Sequence, residues 1–274
     1  MSITYSTCYY VLHSKFPKEI YIEWIRNFFS IVNHFNLVVY TNEQSLRYIP
    51  FTNNPRIKIV IKNLEEFYFY KYKENWIENH KKNNTLKSKT CWELNMIWSE
   101  KIHFVKETID KNYFETELHG WCDIGYFRNR KYFDHCIDSD IRTLTNWSKN
   151  LNVTNVDISK VHYGIVCNFT TYNKLKMQAN KTNVFGLPDV PFSDNMICFA
   201  GGFFIAHKNK IEWWLEEYEK MLVLYFTHNY TVVHDQTIIA NIILTDKSNF
   251  KLYIEPNTRY DNWFMFQRHF NAIE

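Results

Sequence analysis

The sequence predicts an α/β protein with a mostly parallel central sheet flanked by helices. Apolar runs rich in β-branched and aromatic residues alternate with stretches of helical periodicity, the order that parallel strands and crossover helices require. Hydrophobic residues make up 46% of the 274 residues and aromatic residues 18%, which is enough apolar material for one large core. We therefore expect a single domain that spans residues 1–274.

The alternation starts at the beginning of the sequence. Residues 3–12 have the composition of a buried strand, and apolar residues then recur at helical spacing after Pro17. These patterns predict strands at residues 3–12, 37–41 and 56–61 and a helix at residues 17–35. The polar strand ends that include Thr7 and Thr41 should lie at the carboxyl edge of the sheet, where open α/β sheets bind ligands. Either residue could contact a nucleotide there, although each is also an ordinary strand terminus.

The same pattern continues through the rest of the chain. An apolar stripe predicts a helix over residues 90–109, and the long polar segment at residues 169–195 is typical of a lid or binding loop. The remaining patterns predict helices at residues 65–84, 131–146, 210–224 and from residue 235 onward, and strands ending at residue 123 and spanning residues 161–168 and 196–206.

Composition and charge argue against several classes of partner. Lys plus Arg number 32 against 29 for Asp plus Glu, and the basic residues are scattered, so we expect no nucleic-acid partner. No secretory signal and no apolar run long enough to span a bilayer are visible, so we expect a cytoplasmic protein. The cysteines lie singly and are expected to be reduced core thiols: Cys8, Cys91, Cys122, Cys136, Cys167 and Cys198.

The run WCDIGYFR at residues 121–128 is the strongest candidate for a functional site. It places one carboxylate, Asp123, at the tip of a strand, where an acid is well placed to meet a metal-bound phosphate. Lys101 lies on the helix before this strand and could reach an anionic ligand at its end. The ordinary alternatives are a turn at Asp123 and a surface position for Lys101.

Two later motifs add to this candidate site. Gly201 and Gly202 interrupt an apolar strand, which indicates close approach of a ligand or of another backbone, or else a β-bulge. Asp235 and Gln236 open an apolar helix, and Asp235 could act on a substrate or could simply stabilise the helix N-terminus.

Taken in order, these motifs resemble the HtrL/YibB family of glycosyltransferases. The resemblance rests on Trp98 and Lys101, the run at residues 121–128, the strand at residues 199–204 and the Asp235–Gln236 dipeptide. The order is more distantly similar to family 8 glycosyltransferases of the GT-A type, which carry D-x-D, F-N-A-G and D-Q motifs. The resemblance implies a GT-A-like fold and transfer of a hexose or pentose from a nucleotide-diphosphate sugar to a glycan or glycoprotein acceptor.

The resemblance also implies roles for individual residues. Asp123 would bind Mn²⁺ or Mg²⁺ at the donor diphosphate, with His269 as a candidate second ligand. Lys101, Arg128, Gly201 and Gly202 would contact the donor. Asp235 and Gln236 would act at the transferred sugar, with Asp235 as the general base if the enzyme inverts.

One residue departs from the family pattern. Gly125 stands where D-x-D has its second acid, which leaves metal dependence open. A nucleotidyl- or phosphotransferase using the same strand-end acid is one alternative. A non-catalytic binding protein on a degenerate transferase fold is the other, because a fold does not fix a function.

Overall fold

A computed structural model describes residues 3–128, 140–193 and 197–271. Its strands are β1 (Thr4–Cys8), β2 (Asn36–Thr41), β3 (Ile57–Ile61), β4 (Leu118–Cys122), β5 (Val161–Ile165), β6 (Phe203–His207) and β7 (Phe250–Ile254). Its α-helices are α1 (Lys18–Ser30), α2 (Glu43–Leu46), α3 (Lys73–Lys82), α4 (Trp92–Asp110), α5 (Phe169–Ala179), α6 (Lys208–Thr227), α7 (Asp235–Thr245) and α8 (Met265–His269).

The described strands form one sheet in the order β3-β2-β1-β4-β6-β5-β7. All neighbouring pairs are parallel except those made by β6, which runs antiparallel to both β4 and β5. The predicted α/β class, with a mostly parallel central sheet flanked by helices, is confirmed. Because β6 is reversed, its amino end lies at the same edge of the sheet as the carboxyl end of β4.

Helices cover both faces of the sheet because the side chains of its central strands are apolar on both sides. In β2, Val38 and Tyr40 enter a core with α3, α4, α5, α6 and α7, whereas Leu37 and Val39 enter a second core with α1 and α8. Strands that are buried on both faces read as continuous apolar runs, as parallel strands usually do. All six residues of β2 are buried.

Several predicted elements are confirmed with shifted ends. The helix expected at residues 90–109 is α4, the one at residues 210–224 is α6, and α7 begins at Asp235. The helical prediction for residues 65–84 corresponds to two short 3-10 turns followed by α3. Only part of the helix predicted at residues 131–146 falls among the described residues, where a 3-10 turn forms at Ile141–Thr143.

The prediction of a loop at residues 169–195 is wrong. Helix α5 occupies its first part, where the Asn168 side chain caps the helix by accepting from the backbone N–H of Thr171. Leu175 and Ala179, four residues apart, are its buried positions. The apolar face is so narrow that the polar composition of the segment obscured it.

Three strand predictions also needed correction. The strand expected at residues 3–12 ends at Cys8, and the one expected at residues 161–168 ends at Ile165. The strand expected at residues 196–206 begins at Phe203, and before it Phe199 makes an isolated bridge to Ile165. The glycines therefore precede β6 and do not interrupt it.

The described cysteines are free thiols, as expected, but they are not all buried singly. Cys8, Cys122 and Cys198 are buried, whereas Cys91 and Cys167 are partly exposed. The Sγ atoms of Cys167 and Cys198 lie 2.8 Å apart. The sixth cysteine, Cys136, lies outside the described residues. None of the helices in the described ranges is long and apolar enough to cross a membrane.

The tight pairing of β4 with β6 generates a stability prediction. A Cβ at Gly120 would lie 2.3 Å from the carbonyl oxygen of Phe204, so Gly120→Ala forces the two strands apart. We expect a loss of about 1–3 kcal/mol, typical of overpacking, in urea unfolding followed by tryptophan fluorescence. Gly164→Ala is the matched control, because the three atoms nearest its Cβ would be side-chain atoms, two of Met265 at 3.0 Å and one of Phe266 at 3.3 Å, and not backbone of a paired strand. Equal losses for the two variants would contradict the prediction.

Candidate functional site

A cavity of about 440 Å³ lies at the edge of the sheet where β1 and β4 end. Residues that follow β1, follow β4 and precede β6 line it together with one face of α4 and the start of α7. This is the position at which open α/β sheets bind ligands. The predicted site residues that line the cavity are Lys101, Asp123, Arg128, Gly201, Gly202, Asp235 and Gln236.

Lys101 joins the two carboxylates of the site. Its ammonium lies 2.9 Å from Asp235 Oδ2, 3.2 Å from Asp123 Oδ1 and 2.9 Å from the carbonyl oxygen of Gly201. A lysine has three N–H donors, so these contacts use all of them. The Lys101 side chain is only 7% exposed, which makes it a buried internal counter-ion and not the surface lysine of the ordinary interpretation.

The charges in this cluster depend on one another. Burial alone would lower the pKa of Lys101, but the charges of Asp123 and Asp235 outweigh it and raise that pKa, so the ammonium stays protonated. Burial raises the pKa of Asp235, with Lys101 acting in the opposite direction. Removing Lys101 would leave the buried Asp235 carboxylate without a compensating charge.

The two glycines make room for the two carboxylates. A Cβ at Gly201 would lie 2.7 Å from Asp235 Oδ2, and a Cβ at Gly202 would lie 3.1 Å from Asp123 Oδ2. The backbone N–H of Asp123 donates to the Gly202 carbonyl oxygen at 2.8 Å. The space beside the glycines is therefore occupied by acidic side chains of the chain itself and by the Asp123 backbone, and the approach of a ligand stays a prediction.

Asp123 remains the more accessible of the two acids. Its side chain is 36% exposed, compared with 5% for Asp235. The indole N–H of Trp121 donates to Asp123 Oδ1 at 2.6 Å, and Lys101 contacts the same oxygen. The carboxylate is thus held in one orientation at the floor of the cavity.

Buried asparagines fix the segment that leads into α7. The side-chain amides of Asn79 and Asn95 each donate to the carbonyl oxygen of Val232 at 2.9 Å, and that of Asn83 donates to Val233 at 2.9 Å. These bonds attach the start of α7 to α3 and α4. They place Asp235 against Lys101, and the sequence patterns gave no indication of them.

Arg128 lies beside the glycine that replaces the second acid of D-x-D. Its Nε donates to the Gly125 carbonyl oxygen at 2.5 Å, and its guanidinium lies 4.3 Å from the ring centre of Trp24. A Cβ at Gly125 would lie 2.6 Å from a Trp24 ring carbon. The indole of Trp24 and the Arg128 guanidinium therefore occupy the space into which an acidic side chain would extend.

Three predicted site residues lie outside the cavity lining. Thr7 and Thr41 are fully buried, and Thr41 Oγ1 donates to the carbonyl oxygen of Tyr9 at 2.8 Å, which supports the strand end without contacting the cavity. His269 is exposed, with its ring centre 5.5 Å from that of Tyr253. The threonine side chains point into the core, and α8 places the histidine away from Asp123.

The sequence patterns missed several cavity residues. Lys15 contributes a positive charge at the mouth, and His234 lies directly before the two α7 residues. Most of the remaining wall is aromatic: Tyr9, Tyr10, Phe16, Tyr21, Trp98, Trp121, Tyr126, Trp263 and Phe264. Lys15 sits in a connection with no regular spacing, so only its proximity to the predicted strand end could have indicated it.

The residues present do not fit the divalent cation that the family resemblance implies. Among the described residues, no group of three or more His, Cys, Asp and Glu side chains could hold a metal ion. The two acids of the cavity already share the Lys101 ammonium, and the space beside Gly125 is filled by Trp24 and Arg128. Mg²⁺ and Mn²⁺ prefer several oxygen ligands, which this arrangement does not offer.

The chain matches no protein-family model and no curated protein. The resemblance to the HtrL/YibB family therefore stays a prediction from the motifs, and the GT-A-like identity of the fold stays one as well.

The environment of His234 predicts a pH dependence of stability. Burial, followed by the charges of Lys15 and Lys101, lowers the pKa of His234 to about 4. An unfolded histidine titrates near pH 6.5, so between these values the unfolded chain binds more protons and stability falls as the pH falls. His234→Gln should make this slope shallower by up to about 1.4 kcal/mol per pH unit in urea unfolding between pH 4 and 6.5.

His269→Gln is the control for this measurement, because that histidine is exposed and lies outside the cavity lining. If His234→Gln leaves the pH dependence of the unfolding free energy unchanged, the His234 imidazole is not held neutral in the folded protein.

Proposed function

We propose that the protein transfers a sugar from a nucleotide-diphosphate sugar to a glycan or glycoprotein acceptor. The observation that carries this proposal is the meeting of Asp123, Lys101 and the Asp235–Gln236 dipeptide in one cavity at the carboxyl edge of the sheet. These residues come from motifs far apart in the sequence, and the family resemblance assigns all of them to the donor site. A cytoplasmic location, expected from the sequence, remains part of the proposal.

The reaction places specific demands on such a cavity. The bond between the anomeric carbon and the diphosphate oxygen breaks, a bond to the acceptor hydroxyl oxygen forms, and the hydroxyl proton leaves. Negative charge then develops on the departing nucleoside diphosphate, and fixed positive charges stabilise it best where water is excluded. Lys15 and Arg128 line the same cavity and supply such charges.

The aromatic walls suit the other parts of the donor. Ring faces stack on nucleobases and on the apolar faces of sugars, and a small number of polar groups then fixes orientation. In this cavity, the polar side chains of Asp123, Asp235 and Gln236 lie together beside Gly201 and Gly202. A volume of about 440 Å³ lies in the range of small-ligand pockets.

Asp235 and Gln236 are held rigidly in place. They form the first turn of α7, and Lys101 fixes the Asp235 carboxylate from the opposite side. We assign them to the transferred sugar, where small errors of position are costly. In an inverting reaction Asp235 would accept the hydroxyl proton, a role that its raised pKa favours.

A non-catalytic binding protein is the second candidate function, and one observation favours it. Because Lys101 pairs with both carboxylates, the acids could serve only to hold the sheet edge together. Such a protein would bind a nucleotide sugar without consuming it.

Donor turnover decides between these functions. The wild-type protein, incubated with a panel of UDP-, GDP-, ADP- and CDP-sugars, should release nucleoside diphosphate, detected by a coupled assay. Asp235→Asn and Gln236→Ala should each lower that rate by about a hundredfold, as expected for groups that act in the transition state. Their affinity for the nucleoside diphosphate should stay within about twofold, because neither contacts the nucleotide in this assignment.

Gln178→Ala is a control outside the cavity, since its amide donates to carbonyl oxygens at residues 190 and 191. Binding of a nucleotide sugar with no turnover by the wild type would select the non-catalytic function. A fully active Asp235→Asn protein would remove this residue from the site.

A further inference from the structure

We propose that this protein binds the diphosphate of its donor without a metal ion, using Lys15 and Arg128 as fixed positive charges. The inference rests on the proposed function, because it concerns the same nucleotide-diphosphate donor. It replaces the expectation of a Mn²⁺ or Mg²⁺ cofactor with side chains of the chain itself.

The first support is the occupant of the place where the second metal-binding acid would stand. A side chain at Gly125 would meet the Trp24 ring at 2.6 Å and Arg128 Nη2 at 3.5 Å. The guanidinium packs on the indole face at 4.3 Å, a favourable cation–π distance. A cationic group therefore replaces a missing anionic ligand at the same point in space.

The second support is the state of the remaining acids. Asp123 Oδ1 already accepts from Trp121 and contacts the Lys101 ammonium, and Asp235 Oδ2 contacts the same ammonium. A divalent cation held by Asp123 would face this buried positive charge at short range, with little solvent to screen it. Lys101 thus fills the electrostatic role that a cation has between two carboxylates.

The third support is Lys15, a cation without a counter-ion in the described part of the chain. Within the described residues no carboxylate lies at salt-bridge distance from it, and its Nζ lies 5.1 Å from the ring centre of Trp98. Much of the side chain is exposed at the cavity mouth. Partial burial nevertheless lowers its pKa, and Asp235 opposes that change while Lys101, Lys89 and Arg128 add to it. A bound anion would relieve this excess of positive charge.

Cationic side chains outnumber acidic ones in the cavity lining, which suits a diphosphate bound without a metal ion. Lys101 is shared by Asp123 and Asp235, while Lys15 and Arg128 line the cavity as additional cations. Guanidinium and ammonium groups bind phosphate oxygens through short, charge-assisted hydrogen bonds. The departing diphosphate would keep these contacts as its negative charge grows.

Calorimetric titration of the protein with UDP, GDP, ADP and CDP tests the inference, once with EDTA and once with Mn²⁺ after removal of the chelator. At least one nucleotide should bind with the same affinity, within about twofold, in both conditions. Lys15→Met should weaken that binding by about tenfold or more without changing the unfolding midpoint, since no hydrogen bond or ion pair among the described residues uses this ammonium.

Lys58→Met is the matched control. Lys58 also lies over an aromatic ring, 5.9 Å from the ring centre of Tyr113, but it is absent from the cavity lining. Its substitution should leave nucleotide affinity unchanged.

The possible outcomes separate this inference from the proposed function. Binding that requires Mn²⁺ would overturn the metal-free site and leave the sugar-transferase proposal standing. Unchanged affinity in Lys15→Met would overturn the assignment of Lys15 to the diphosphate. If no nucleotide binds in either condition, the proposed function fails, and the metal-free site fails with it.

Discussion

The buried ammonium of Lys101 between two carboxylates is the contact on which the site depends. It joins α4 to the end of β4, to the start of α7 and to the turn before β6. A charge that is 7% exposed is costly unless it is fully paired, and here every donor of the ammonium has an acceptor. The pairing therefore fixes where Asp123 and Asp235 can lie, and with them the floor of the cavity.

Other contacts of the fold fix the position of α4, so that the Lys101 ammonium lies between Asp123 and Asp235. The neighbouring Glu100 is fully buried and accepts backbone N–H groups from Tyr68 and Phe69 at 2.7 and 2.9 Å, and Ser99 bonds to Tyr218 at 2.8 Å. Hydrogen bonds to charged groups are stronger than neutral ones, so Glu100 anchors the helix firmly. Polar pairing of this kind specifies one position of α4, whereas the apolar contacts around it would tolerate small displacements.

The fold class could be predicted from the sequence, and so could the residues at the centre of the candidate site, Asp123, Lys101 and Asp235. Both predictions depend on which segments of the chain are buried. Apolar periodicity depends on burial, so it indicated the alternation of strands and helices, and parallel strands bring their carboxyl ends to one edge whatever the loops do. Asp123, Lys101 and Asp235 all lie at that edge. Lys15 lies in an irregular connection. Thr7 and Thr41 lie near the ends of strands that are buried on both faces, so a polar residue at such an end can stay in the core without reaching the cavity. The space beside Gly125 is set by Trp24, a residue distant in sequence, and only the packed structure shows it.

A double-mutant cycle on Lys101 and Asp235 tests the central claim most directly, with urea unfolding as the readout. Lys101→Met should cost about 3–5 kcal/mol, because it leaves a buried carboxylate unpaired, and adding Asp235→Asn should restore part of that loss. Lys106→Met provides the control on the same helix, where the lysine pairs with Asp110 and Glu212 near the surface and should contribute no more than about 1 kcal/mol. A Lys101→Met protein as stable as the control, with additive effects of the two substitutions, would contradict the account.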